Sequence, residues 1–122
     1  VSMGNPHAVI FVDNLDQTDI KGLGIQVENH ERFPEKTNVE FIQVVSPSEL
    51  RMRVWERGAG ITLACGTGAC AALVAAHLTG RAQACADVHL DGGQLEIRWD
   101  KKSNHLFKTG QAALVFEGRT RI

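Results

Sequence analysis

The stretch Leu63–Gly80, LACGTGACAALVAAHLTG, decides how this chain folds. From Gly66 to Thr79 its composition predicts an alanine-rich helix, and Gly80 stands where a C-terminal cap belongs. Cys70, Ala71, Ala72, Leu73, Val74, Ala75 and Ala76 leave that helix no polar face. A helix apolar all round is enclosed by protein, so this one belongs at the centre of the fold.

Working outward from it, the elements on either side read as strands. His7–Val12 is a short β-branched run closed by Asp13-Asn14, the pattern of a buried strand ending in a turn. Val39–Val45 and Leu50–Trp55 have strand composition, and Ser46-Pro47-Ser48 between them signals a hairpin. In the second run Leu50, Met52 and Val54 alternate with Arg51 and Arg53, so one face of that ribbon is wet. Beyond the helix come Val88–Leu90, a turn at Asp91-Gly92-Gly93, alternating Leu95, Ile97 and Trp99, a polar Lys101–Asn104 turn, and a last strand through Ala113–Phe116. Ile20, Leu23 and Val27 recur at helical spacing between Thr18 and Asn29, predicting a superficial helix capped by Thr18 or Asp19 and weakened by Gly22 and Gly24. The expected fold class is α+β: a mostly antiparallel, curved sheet wrapped around one buried apolar helix.

Composition excludes several classes of function. A chain of 122 residues supports one domain with one core, and 43% hydrophobic against 22% charged residues is incompatible with disorder or a fibrous repeat. Thirteen Lys and Arg nearly cancel fourteen Asp and Glu, so no net field recruits nucleic acid or an anionic membrane surface. The longest apolar stretch, Leu63–Leu78, is interrupted by Gly66, Thr67, Gly68 and His77 and is too short to span a bilayer. No basic, apolar leader is visible at Val1-Ser2-Met3. Cys65, Cys70 and Cys85 cannot all pair within one chain, which favours free thiols in a reducing compartment, with the cytoplasm as the default.

Chemistry concentrates around Cys65-Gly66-Thr67-Gly68, a thiol and glycine-rich backbone where the buried helix begins. The first N–H groups of a helix lack internal partners and carry the positive end of its dipole, so they suit a carboxylate or phosphate, and a thiol there is activated. The structural alternative is a small buried hydrophobe with glycines that only permit close packing. Polar residues also gather at strand ends: Asn5 and His7 before the first strand, Thr37 and Asn38 before the second, Glu56 and Arg57 closing the third. Asn offers donor and acceptor, Arg a carboxylate fork, Glu an anchor for ammonium. Each also has a plain structural reading, as turn former, satisfied core histidine or solvated ion pair. Cys65 and Cys70 lack Cys-x-x-Cys spacing and the five histidines form no zinc-like pattern, so no metal is expected. His77 reads as structural. Without a phosphate-loop or dinucleotide motif, no nucleotide cofactor is expected either.

Taken together, Met3-Gly4-Asn5-Pro6-His7, Thr37-Asn38-Val39-Glu40-Phe41 and Trp55–Ala72, in that order, resemble the C-terminal half of the diaminopimelate epimerase family of cofactor-independent amino-acid racemases. The likeness spans residues 1–122 as one domain, with the family's N-terminal half absent. It implies a two-base reaction at an α-carbon, interconverting LL- and meso-diaminopimelate on the route to lysine and peptidoglycan precursors. Cys65 would be one base and Glu56 its partner, also holding the α-ammonium. His7 would face the family's second cysteine, which lies in the absent half. Gly66 and Thr67 would bind the α-carboxylate through backbone N–H, and Asn5, Asn38 and Arg57 would read the distal end of the amino acid. Ile61 departs from the glutamate common in the family's Gly-Ala-Gly-Glu-Thr stretch.

The resemblance further implies that Ala112–Glu117 returns toward the absent half, so the partners are a small amino acid and that half, with pairing of two copies along the bare edge as the alternative. The pathway implies a bacterial cytoplasm or a plastid stroma. Three readings follow: half of an isomerase, inactive or poorly active alone; a noncatalytic module of the same fold that binds small anions or a partner; or a racemase acting on a different amino acid.

Overall fold

Asn38–Ser46 begins with five consecutive buried residues, which a strand achieves only where both faces of its sheet are covered. In the computed structural model, which describes all of residues 1–122, helices provide that cover. Chain order is β1 (His7–Phe11), a 3-10 turn (Leu15–Gln17), α1 (Ile20–Glu28), β2 (Asn38–Ser46), β3 (Glu49–Glu56), β4 (Gly60–Thr62), α2 (Gly66–Leu78), β5 (Cys85–Leu90), β6 (Gly93–Asp100) and β7 (His105–Gly110). The strands form one seven-stranded sheet in the order β1-β2-β3-β5-β6-β7, with β4 paired to β3. The fold class is therefore α+β.

Pairing is antiparallel except at β1–β2 and β3–β5, which are parallel. Both exceptions arise where a helix lies between the two strands in sequence, α1 in the first case and α2 in the second, as a parallel connection requires. A reading strand by strand could not see this, because parallel pairing is a non-local choice.

α2 touches β1, β2, β3, β5, β6 and β7. Ala69, Ala72, Leu73 and Ala76 join Ile42, Leu50, Met52, Val54, Val88 and Ile97 in the main core. Gly68, Ala71 and Val74 are buried as well, while Leu78 at the last turn is exposed. The expected cap is present: Gly80 takes φ +72°, its N–H bonds to the His77 carbonyl and that of Arg81 to the Ala76 carbonyl, a Schellman termination. His77 is structural, its Nδ1 3.0 Å from the Ala82 carbonyl and its ring edge-on to Trp99.

A second, smaller core joins Val39 and Phe41 of β2 to Leu15 and Ile20 on the opposite face. Beyond it the outer face is polar, with Arg51 bonded to Asp16 and Arg53 to Asp91, as the alternation in β3 predicts. α1 buries Ile20, Gly24 and Glu28 rather than the expected stripe of Ile20, Leu23 and Val27. The reason is Trp55: a β-carbon on Gly24 would lie 2.5 Å from its Cγ, so the indole packs directly on the helix backbone.

The last strand is also corrected. Expected through Ala113–Phe116, it is instead His105–Gly110, in full register with β6. The free edge of β6 is thereby used, and residues 111–122 form neither helix nor strand. Three-residue β4, which the sequence does not reveal, fills the part of the β3 edge that β5 does not reach.

Candidate active site

Parallel pairing sets His7 opposite Asn38, and the antiparallel hairpin sets Val39 opposite Trp55. The polar residues at the start of β1, the start of β2 and the end of β3 therefore meet at one end of the sheet. Cys65 is the N-cap of α2, in extended conformation, and its half-buried Sγ accepts from the Gly68 N–H at 3.3 Å. The Ala69 N–H is taken by the Cys65 carbonyl at 2.9 Å. Those of Gly66 and Thr67 remain free for a ligand, with the positive end of the helix dipole behind them.

Around the thiol runs a hydrogen-bonded chain. Sγ lies 3.7 Å from the Thr67 hydroxyl, which accepts from Asn5 Nδ2 at 3.4 Å. Asn5 Oδ1 lies 3.2 Å from His7 Nε2, and His7 Nδ1 lies 2.6 Å from Glu40 Oε1. The His7 and Glu40 side chains are both fully buried. Burial pushes the Glu40 carboxyl above the ordinary carboxylate value, while the His7 hydrogen bond and charge pull it down; burial prevails.

The glycines of the motif are required by what they face. A β-carbon on Gly68 would come 2.8 Å from Glu40 Oε1 and 3.1 Å from Cys65 Sγ, and one on Gly66 would collide with Lys108 Nζ. Lys108 of β7 thus carries its ammonium over the first turn of α2. Cys70, in the same helix, is driven up by burial, an effect the Lys108 charge opposes. Burial likewise raises Cys85.

Asn38, Glu56 and Arg57 form a second group. Asn38 Oδ1 accepts from the Arg57 backbone N–H at 2.9 Å and its Nδ2 donates to the Pro6 carbonyl at 3.3 Å. The Arg57 guanidinium donates to the Glu35 carbonyl at 3.0 Å. Glu56 Oε1 accepts from the Thr62 hydroxyl at 2.5 Å, whereas the partners of Cys65 Sγ are Gly68 and Thr67. Glu28 straddles the pair, accepting from Trp55 Nε1 at 2.7 Å and from the Gly58 N–H at 3.1 Å.

Asn5, His7, Cys65, Gly66 and Thr67 thus lie in the first group and Asn38, Glu56 and Arg57 in the second, Thr37 only donates to the Asn38 carbonyl beside it, and three further residues join the groups. Glu40 carries a legible signal, a carboxylate between the apolar Val39 and Phe41 of β2. Glu28 and Lys108 carry none, since α1 has a different buried stripe and β7 a different position than expected.

Known proteins resemble this chain over almost all of its length. The model of the family described as diaminopimelate epimerase matches residues 1–115. A Desulforapulum autotrophicum protein named diaminopimelate epimerase is 64% identical over 122 residues, 100% of this chain and 43% of its own length. One of the same name from Synechococcus is 58% identical over 98% of this chain and 43% of its length. This chain therefore spans less than half the length of the curated relatives it matches. Among solved structures, a Bacillus anthracis phenazine biosynthesis protein of the PhzF family superposes with a TM-score of 0.64 at 20% identity, over 87% of this chain and 34% of its own, a likeness of fold.

Proposed function

Because this chain belongs to the diaminopimelate epimerase family, we propose that it forms one half of an active site that inverts the α-carbon of diaminopimelate, with Cys65 as one of two acid/base groups. One observation carries the reading: Cys65 caps α2 through its sulfur beside two unused N–H groups, Gly66 and Thr67. A carboxylate held there places the adjacent α-carbon near Sγ. As the α-proton leaves, charge spreads into that carboxylate, where fixed N–H dipoles and the Lys108 ammonium stabilise it.

Proton balance needs a second group. The Cys65 thiolate takes the α-proton from one face and becomes a thiol. A thiol from the other half of the enzyme donates to the opposite face and becomes a thiolate. Direction of reaction decides which sulfur starts ionised, and no cofactor enters the balance. Glu56 holds the α-ammonium beside Cys65. Asn5 and Arg57 read the distal end, with Asn38 fixing the backbone of Arg57. That α2 touches both the first and the last strand of the sheet supports the view that the sheet curls around it and leaves this end open to the other half. The setting is the cytoplasm, or a plastid stroma, and a homodimer along the β7 edge is the alternative partner.

Removing one of two acid/base groups costs about 10²- to 10⁴-fold in rate, so the chain alone turns over poorly. LL-diaminopimelate in D₂O, with this chain alone and with a separately produced N-terminal half of a relative, separates the cases by proton NMR. Exchange and meso product only on mixing is expected. No exchange when both halves are folded and associated overturns the reading in favour of a noncatalytic small-anion module.

A further inference from the structure

Glu40 is the most deeply buried ionisable group in the molecule, and the chemistry above does not use it. Its side chain, fully enclosed, reaches only one partner, His7 Nδ1, and its second oxygen has none. Both Glu40 Oε1 and Cys65 Sγ lie about 3 Å from the position a Gly68 β-carbon would take, so the carboxyl and the thiol are within about 6 Å of each other, where charges interact strongly. A lone carboxylate there would oppose ionisation of Cys65 and would be expensive in itself.

The hydrogen-bond pattern offers a way out. Asn5 Nδ2 is directed at Thr67, which leaves Asn5 Oδ1, an acceptor, facing His7 Nε2. Nε2 must then carry a proton. Between Nδ1 and Glu40 Oε1, 2.6 Å apart, a single further proton suffices. On nitrogen it makes an ion pair and on oxygen a neutral pair, and in either case the pair has no net charge.

We propose that Glu40 is a positioning residue for His7, the two sharing one buried proton so that His7 keeps its Nε2 proton directed at Asn5 Oδ1 and serves there as a donor, not a base. The consequence for the reaction is specific. His7 fixes the Asn5 amide, and through it the Thr67 hydroxyl beside Cys65, in one orientation and is no proton acceptor, while Cys65 is spared a neighbouring anion. Other groups facing the pair are the Val1 amino group, which donates to the His7 carbonyl at 3.0 Å, and Cys65 itself.

The place of His7 in catalysis rests on the function proposed above, but its protonation is measured without substrate. ¹⁵N NMR of the His7 ring in the chain at pH 7 is expected to show Nε2 protonated and Nδ1 in a strong hydrogen bond to Glu40. In Glu40→Gln the proton affinity of the ring should fall about tenfold or more, the effect of removing a close opposite charge. A bare Nε2 in the wild-type chain at pH 7 overturns the proposal even if the variant fails to fold. So does a His7 proton affinity that moves less than twofold in folded Glu40→Gln.

Discussion

Lys108 is the residue whose effect is easiest to isolate, because its ammonium stands over Gly66 at the start of α2 without bonding to Cys65. Iodoacetate and iodoacetamide both attack the thiolate, so any change in its ionisation cancels in the ratio of their rates. What remains is attraction of the anionic reagent. Lys108→Gln should lower the iodoacetate-to-iodoacetamide ratio at Cys65 about threefold, as expected for one solvent-screened charge, read by mass spectrometry of the Cys65 peptide. An unchanged ratio would remove Lys108 from the anion site. Cys65 itself is legible in the sequence because the thiol, the glycines and the helix they introduce are contiguous. Glu40 is legible only in part: a carboxylate between Val39 and Phe41 announces that it needs a partner, but nothing local says the partner is His7, thirty-three residues earlier.

Elements show the same division between local and distant causes. α2 is readable because its apolar surface and its terminal glycine are written in consecutive residues. β7 is defined by β6 rather than by its own pattern, and β4 is too short to have one. In α1, a glycine that reads as a helix weakener is the seat of Trp55. Gly24→Ala should therefore destabilise the fold by about 1–3 kcal/mol despite its better helix propensity, seen as a lower urea midpoint with an unchanged slope.

The end of α1 supplies a pH-dependent counterpart. The Trp55 indole N–H bonded to Glu28 holds that carboxyl below the ordinary glutamate value, against the opposing effect of burial, with the Gly58 N–H adding to the lowering. A group whose acidity is enhanced by folding stabilises the fold above its unfolded value, and the contribution disappears as pH falls through its folded value. Glu28→Gln keeps one acceptor and strands one donor, a loss of about 1–3 kcal/mol at neutral pH. Urea midpoints of the two proteins should converge as pH drops below the ordinary glutamate range, and a gap independent of pH would assign the effect to packing alone.

At the scale of the molecule, the sheet is finished by Gly110, yet the chain continues with Leu114, Val115 and Phe116 exposed at 80, 87 and 81%. These residues contribute no buried area to the core, so a chain ending at Gln111 should keep its urea midpoint within the range of ordinary surface changes, about 0.5 kcal/mol. Apolar side chains left outside a complete core mark a surface for something else. If that is the N-terminal half, burying even one of the three on association is worth about 1.5–3 kcal/mol. The shortened chain should then bind that half at least tenfold more weakly by sedimentation, and recovery of proton exchange on mixing should shift to higher concentration by the same factor. Weakened self-association of the chain, with binding to the N-terminal half unaltered, would instead assign the segment to a homodimer. Both outcomes leave Cys65, His7 and Glu40 in place, because those three are held by β1, β2 and α2, none of which the segment supports.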